Sequence, residues 1–210
     1  MTNNTQSPTF VETIRISRGK AERLPLHAAR MERTMRKFFP DAPAIGSDQL
    51  ENYIYNNVCL TGSGIMKCRI VYAQCPLSVS LEPYTVREVR SLKLVDGAGI
   101  DYAYKSTDRR PLTNLFSLRG EADDVLIVKD GRITDTTIGN VALLIRGKWL
   151  TPANPLLKGT RRKALLDEGV IEEGDIRPDD IQDCKSIMVF NAMIPWGRIE
   201  VSPLNCTMLK

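Results

Sequence analysis

The sequence predicts an α+β fold in two units. Three observations point there. Segments with strand character, rich in β-branched and aromatic residues, are interleaved with helical segments along the chain. A short glycine-bearing stretch, Val95-Asp96-Gly97-Ala98-Gly99, interrupts the pattern near the middle. The 210 residues, 42% apolar and 26% charged, are enough for one large or two small cores. The expected organisation is a small α+β domain over residues 1–96, a linker over 97–106, and a second α/β domain over 107–210.

In chain order, residues 10–17 (FVETIRIS) alternate and read as a strand. Arg18-Gly19-Lys20 suits a turn. Residues 26–39 (LHAARMERTMRKFF) have helical composition, and Pro40 ends them. Ser47 is the expected N-cap of a second helix reaching about Cys59, with acids in its first turn. Strands are then expected at 65–74, 77–82 and 84–95. After the linker, Pro111 opens a helix to about Arg119. Strands follow at 124–129 and 141–150, with Asp130-Gly131 as a hairpin turn between Val128 and Ile133. Residues 159–168 form a helix closed by Gly169. A short helix at 178–183, a buried strand at 187–190 and an edge strand at 198–201 complete the chain.

Composition narrows the chemistry. The single histidine, His27, rules out a three-histidine zinc site and an HExxH metalloprotease, and no GxSxG elbow accompanies it. Proton chemistry then falls to Lys, Asp, Glu, Tyr or a cofactor. His27 itself reads as a packing and hydrogen-bonding residue of the first helix. The cysteines at 59, 68, 75, 184 and 206 form no CxxC pair, so neither a zinc ribbon nor a disulfide framework is indicated. The polar N-terminus MTNNTQSPTF lacks an apolar leader, and no apolar run approaches the ~20 residues of a membrane span. A cytoplasmic protein with no membrane partner is expected.

Four stretches could carry function. The basic run Arg15, Arg18, Lys20, Arg23, Arg30, Arg33, Arg36 and Lys37 could bind a polyanion, but few aromatics interleave with it. A solvated helix face explains most of the run, and no nucleic-acid partner is expected. Lys105 lies among Tyr102, Tyr104, Asp108 and Arg109 where two domains would meet, and cationic neighbours favour the neutral, nucleophilic amine. Leu157-Lys158-Gly159-Thr160-Arg161 opens a predicted helix, whose N-terminus favours a phosphate. Asp135, in the stretch 133–140 (ITDTTIGN), offers a carboxylate, whereas turn chemistry accounts for Gly139 and Asn140.

In order and spacing, these segments resemble class IV aminotransferases, the fold-type IV enzymes of pyridoxal 5'-phosphate (PLP). FVETIRI, HAARM, YKSTDR with LTNLFSLR, ADDVLIVKDGRITDTTIGNVALL, WLTPANPLLKGTRRKALL and VFNAMIP carry the likeness, from about Phe10 to Ile194. The family includes branched-chain aminotransferase, D-amino acid aminotransferase and aminodeoxychorismate lyase. The resemblance implies a two-domain enzyme with PLP in the interdomain cleft, working as a homodimer on a small amino acid or aminodeoxychorismate.

By the same resemblance, Lys105 is the Schiff-base lysine, and Arg23, four residues before the HxxR motif at His27–Arg30, holds the phosphate. Gly159, Thr160 and Arg161 form the phosphate loop, and Leu157 packs on the cofactor ring. Asp135 takes the place of the usual Glu that pairs with the pyridine nitrogen, one methylene shorter. Arg109, four residues after Lys105, matches the lyase-like pattern; Arg69 is the expected contact for a substrate carboxylate. No metal is implied. The short chain and the Lys105–Arg109 spacing favour conversion of 4-amino-4-deoxychorismate to 4-aminobenzoate and pyruvate. The alternatives are an amino-acid aminotransferase, of branched-chain or D-amino acid type, and a catalytically idle binding member of the family.

Overall fold

The structure, a computed structural model, describes residues 7–59 and 64–208. The expectation about the N-terminus rests largely on residues 1–6, outside the described residues. The chain divides into two compact units, Met1–Thr85 with Tyr104–Asp108, and Val86–Ala103 with Arg109–Lys210. This differs from the boundary expected at residue 96. The strand at Leu92–Asp96 is laid against the second unit's sheet, and Gly97 N–H extends that pairing to Val128 O at 2.7 Å. A side chain at Gly97 would come within 2.5 Å of Ile127, so the glycine serves strand packing, and the linker reading of 95–99 is corrected.

Among the described residues, the first unit is a four-stranded antiparallel sheet with two helices. Its elements are β1 (Phe10–Ser17), β2 (Lys20–Ala21), α1 (Leu24–Phe38), α2 (Ser47–Asn57), β3 (Met66–Tyr72) and β4 (Pro76–Pro83), in sheet order β2-β1-β3-β4. Arg18 and Gly19, both at positive φ, close a two-residue hairpin with Ser17 opposite Lys20. Even-numbered residues of β1 and β3, among them Phe10, Ile14, Cys68, Ile70 and Tyr72, are buried with Met31, Met35, Leu50 and Ile54 of the helices. The odd-numbered residues Thr13, Arg15, Lys67 and Arg69 are half-buried and occupy the sheet's other face. Helix α1 begins two residues earlier than expected because Pro25 fits its first turn. The N-cap of α2 is Gly46, not Ser47; Gln49 Oε1 reaches back to Gly46 N–H at 3.0 Å.

Among the described residues, the second unit is built on nine strands. They are β5 (Leu92–Asp96), β6 (Asp124–Lys129), β7 (Arg132–Thr136), β8 (Asn140–Ile145), β9 (Lys148–Pro152), β10 (Glu172–Gly174), β11 (Cys184–Phe190), β12 (Glu200–Val201) and β13 (Cys206–Thr207). Helices α3 (Arg110–Ser117) and α4 (Thr160–Asp167) complete it. The strand order is β10-β9-β8-β7-β6-β5-β13, with β11 joining β8 to β12. Both faces of β6 are covered: Leu126 and Val128 pack with Leu94, Ile133 and Val189, and Val125 and Ile127 pack with Val95, Tyr102 and Leu112. That explains the unbroken apolar run of β6.

Two strand expectations change. Residues 84–91 form no strand, because the Asp123 carboxylate takes the Arg90 and Ser91 N–H groups at 2.7 and 3.1 Å in place of a ladder partner. The expected strand 141–150 is two strands, β8 and β9, turned at Arg146-Gly147, both at positive φ. Among the described residues, no helix is long and apolar enough to cross a membrane.

Candidate active site

In the first unit, three of the expected residues are placed along β1. One edge of β1 pairs with β3 along its length, and places Arg69 opposite Thr13. The other edge is used at both ends. At one end it pairs with β2, and Glu22 N–H donates to Arg15 O at 2.9 Å, which sets Arg23 next in line. At the other end Val11 N–H donates to Lys105 O at 2.9 Å, Phe10 bridges to Ser106, and Thr107 N–H donates to Thr9 O at 3.0 Å. Arg23 and Lys105 therefore flank the stretch from Val11 to Arg15, about 13 Å of strand. Tyr104 fixes the lysine segment further, with its ring 4.9 Å from Phe38 and 6.5 Å from Phe10. Lys105 is half-buried.

Arg23 is the N-cap of α1 and lies in the left-handed region at φ 57°. That conformation is costly for a residue with a Cβ and is kept only where the surroundings enforce it. Here its carbonyl accepts the first helical bonds from Leu26 and His27, at 3.0 and 3.1 Å. Its guanidinium is held by Glu22 at 2.7 Å, and the same carboxylate accepts from Arg15 Nε at 3.1 Å. Behind it, Glu12, His27 and Arg30 form a buried ionic cluster. His27 Nδ1 lies 2.6 Å from Glu12 Oε2. A carboxylate only accepts, so Nδ1 carries the proton. The expected packing role of His27 holds.

In the second unit, Asp135 and the segment before α4 are joined directly. Asp135 is buried on β7. Asn140 Nδ2 donates to its Oδ1 at 2.7 Å, and Leu157 N–H donates to its Oδ2 at 2.9 Å. Burial pushes the Asp135 carboxyl up to about 7; the Leu157, Asn140 and Leu156 hydrogen bonds and the charge of Arg162 oppose this without cancelling it. Gly159 is the N-cap of α4, Thr160 is buried at its first position, and Arg161 follows half-buried. Leu157 packs beside the Val125–Ile127 cluster. Arg109 is the N-cap of α3, and its Nη2 donates to Thr137 O at 2.8 Å, so it supports the β7–β8 turn.

Sequence reasoning missed Glu12, Glu22, Asn140 and Arg162. Asn140 looked like a turn residue because it follows Gly139, yet its side chain is buried and points at Asp135. Arg162 donates to Pro152 O at 2.7 Å and to Glu173 at 2.8 Å, anchoring α4 to β9 before it and β10 after it.

These features can be set beside known proteins. The family model described as amino-transferase class IV matches residues 9–201. The chain belongs to the class IV aminotransferase family. A Haemophilus influenzae relative with no described function is 35% identical over 186 residues, which is 89% of this chain and 97% of that protein. A crystal structure from Haemophilus somnus, provisionally assigned as a 4-amino-4-deoxychorismate lyase, is 31% identical with a TM-score of 0.81; the match covers 89% of this chain and 97% of that one. The fold alone is shared with a hypothetical aminotransferase from Mycobacterium tuberculosis in its PLP-bound form, at 17% identity and a TM-score of 0.72, over 92% and 81% of the two chains.

Proposed function

We propose that this class IV family member is a PLP-dependent lyase that releases 4-aminobenzoate and pyruvate from 4-amino-4-deoxychorismate. PLP presents a phosphate, a ring nitrogen and an aldehyde, and the chain offers a partner of fitting chemistry for each. Arg23 and the start of α4 suit the phosphate. The buried acid Asp135 suits the ring nitrogen, and Lys105 suits the aldehyde. When bound, the cofactor supplies the covalent handle and the electron sink. Lys105 would hold it by its amine and would move the proton at the substrate α-carbon. Asp135, as carboxylate, would keep the ring nitrogen protonated. Arg69 and Arg109 are the groups proposed for the substrate carboxylates.

The observation that carries this reading is the anchoring of Lys105. Its own carbonyl is bonded to Val11, on the edge of β1 where Glu22, the neighbour of Arg23, also bonds. The 31% identity to the Haemophilus somnus protein favours the lyase reaction within the family. A cytoplasmic homodimer completes the proposal, and cysteines at 59, 68, 75, 184 and 206 without a CxxC pair suit a reducing compartment.

The test is an absorbance spectrum of protein reconstituted with PLP, beside Lys105→Ala. The wild type is expected to show the visible band of a lysine-bound cofactor, and the variant to lose it. An unchanged band in the variant would overturn the assignment of Lys105. Release of 4-aminobenzoate supports the lyase; conversion of the cofactor to its amine form by an amino acid supports an aminotransferase instead. Absence of any band even with added PLP indicates an idle member.

A further inference from the structure

We propose that Asn140 is a positioning residue that locks the Asp135 carboxylate and the segment leading into α4 into one rigid unit. The roles given to those two parts rest on the PLP reading above, but the lock itself is a property of the chain alone.

Asn140 spends both hydrogens of its amide on different partners. Nδ2 donates to Asp135 Oδ1 at 2.7 Å and to Leu157 O at 2.8 Å. The Leu157 carbonyl can only accept, so the orientation of the amide is fixed by chemistry. Leu157 N–H closes the loop by donating to Asp135 Oδ2 at 2.9 Å. Three hydrogen bonds thus join a carboxylate, a carboxamide and one main-chain residue into a ring. The other side of the amide is also constrained. A Cβ on Gly159 would lie 2.0 Å from Asn140 Oδ1, so the helix cap can approach only as glycine. The main chain of Asn140 is held too, opposite Asp135 on β7 and opposite Phe190 on β11.

The consequence is a coupling of two tasks. Donation from Asn140 favours the charged form of Asp135, against its burial. The charge of Arg162, on α4, acts in the same direction. The same amide fixes Leu157 and, through Gly159, where α4 begins. Removing it should shift the titration of Asp135 and loosen the anion site at the start of α4 together. A residue that merely fills space would lower stability and move neither.

The experiment compares wild type, Asn140→Ala and the milder Asn140→Ser, all without cofactor. The Asp135 carboxyl carbon is followed by NMR through its titration, with Asp135→Asn to assign the signal, and inorganic phosphate binding is measured by calorimetry. Asn140→Ala is expected to raise the Asp135 midpoint by about one pH unit, a tenfold change in proton affinity, and to weaken phosphate binding several-fold. Asn140→Ser, which keeps one donor, should fall between and serves if the alanine variant does not fold. An unmoved midpoint in a folded variant overturns the proposal. PLP binding to the wild type is measured separately; its failure removes the cofactor reading and leaves the titration result to decide the lock.

Discussion

Arg30 grips Glu12 with two parallel hydrogen bonds, Nε to Oε1 at 2.9 Å and Nη2 to Oε2 at 2.6 Å, inside the first unit's core. The pair ties α1 to β1, and Arg23 stands at the start of that helix. Burial alone would raise the Glu12 carboxyl. The Arg30 charge and the hydrogen bonds from His27 and Arg30 outweigh it and hold the group at about 2. For His27, burial outweighs the Glu12 contact and lowers its pKa below the usual histidine value, so the imidazole is neutral.

Replacing Glu12 by Gln leaves Arg30 charged and poorly matched in a dry site. Such one-sided breaks of buried pairs cost about 3–5 kcal/mol. The expected result is a loss of that size in urea unfolding, with a parallel loss of phosphate affinity as α1 loosens. The pH dependence has a definite sign. Glu12 titrates lower in the folded state than the reference 4.5, so its contribution is present above about 4.5 and is lost as pH falls toward 2. The lowered His27 acts in the same direction below its reference of 6.5, since unfolding lets it take up a proton. Glu12→Gln should flatten the acid limb of thermal melts below about pH 4.5. An acid limb identical to wild type would show that Glu12 is not the titrating group.

Asp135 leads to a prediction about size. The family's usual residue here is Glu, and this chain has the shorter acid. Both oxygens of Asp135 are engaged, and the closed ring through Asn140 and Leu157 leaves no slack for another methylene. Asp135→Glu is therefore expected to destabilise the apo protein by about 1–3 kcal/mol, the usual cost of overpacking. Calorimetric melting checks this. A glutamate variant as stable as wild type would mean that the segment at Leu157 moves freely.

How much of this was legible in the sequence depended on distance along the chain. The hairpin turns at Arg18-Gly19 and Asp130-Gly131 are local events, and glycine in the left-handed region marks them. Arg146-Gly147 carries the same mark but lay inside an apolar run that masked it. The stretch 84–91 has strand composition, yet its last two N–H groups go to Asp123, more than thirty residues away, a contact with no local signature. Asp135 and Gly159 stand out in the sequence as chemical types at a strand end and a helix start. Asn140 does not, because the feature that matters is the direction of its side chain. A turn residue and a buried clamp have the same letter.

Glu22 supplies the last prediction. Its carboxylate sits between Arg15 and Arg23, whose side chains are only 13% and 14% exposed, while its own is 29% exposed. It orients Arg23, and it also competes with any other anion for that guanidinium. Two effects oppose each other when its charge is removed. Orientation is partly retained in Glu22→Gln, because the amide oxygen still accepts a hydrogen bond and the left-handed main chain of Arg23 is set independently by α1. The local charge, by contrast, rises by a full unit beside two poorly solvated arginines. Electrostatics should win, though partial exposure of Glu22 screens the gain. Inorganic phosphate is expected to bind Glu22→Gln roughly three- to tenfold more tightly than wild type, with a steeper salt dependence. Calorimetric titration with phosphate at two salt concentrations reads both. Weaker binding in the glutamine variant would show instead that the carboxylate's grip on the arginines, and not its charge, governs the site.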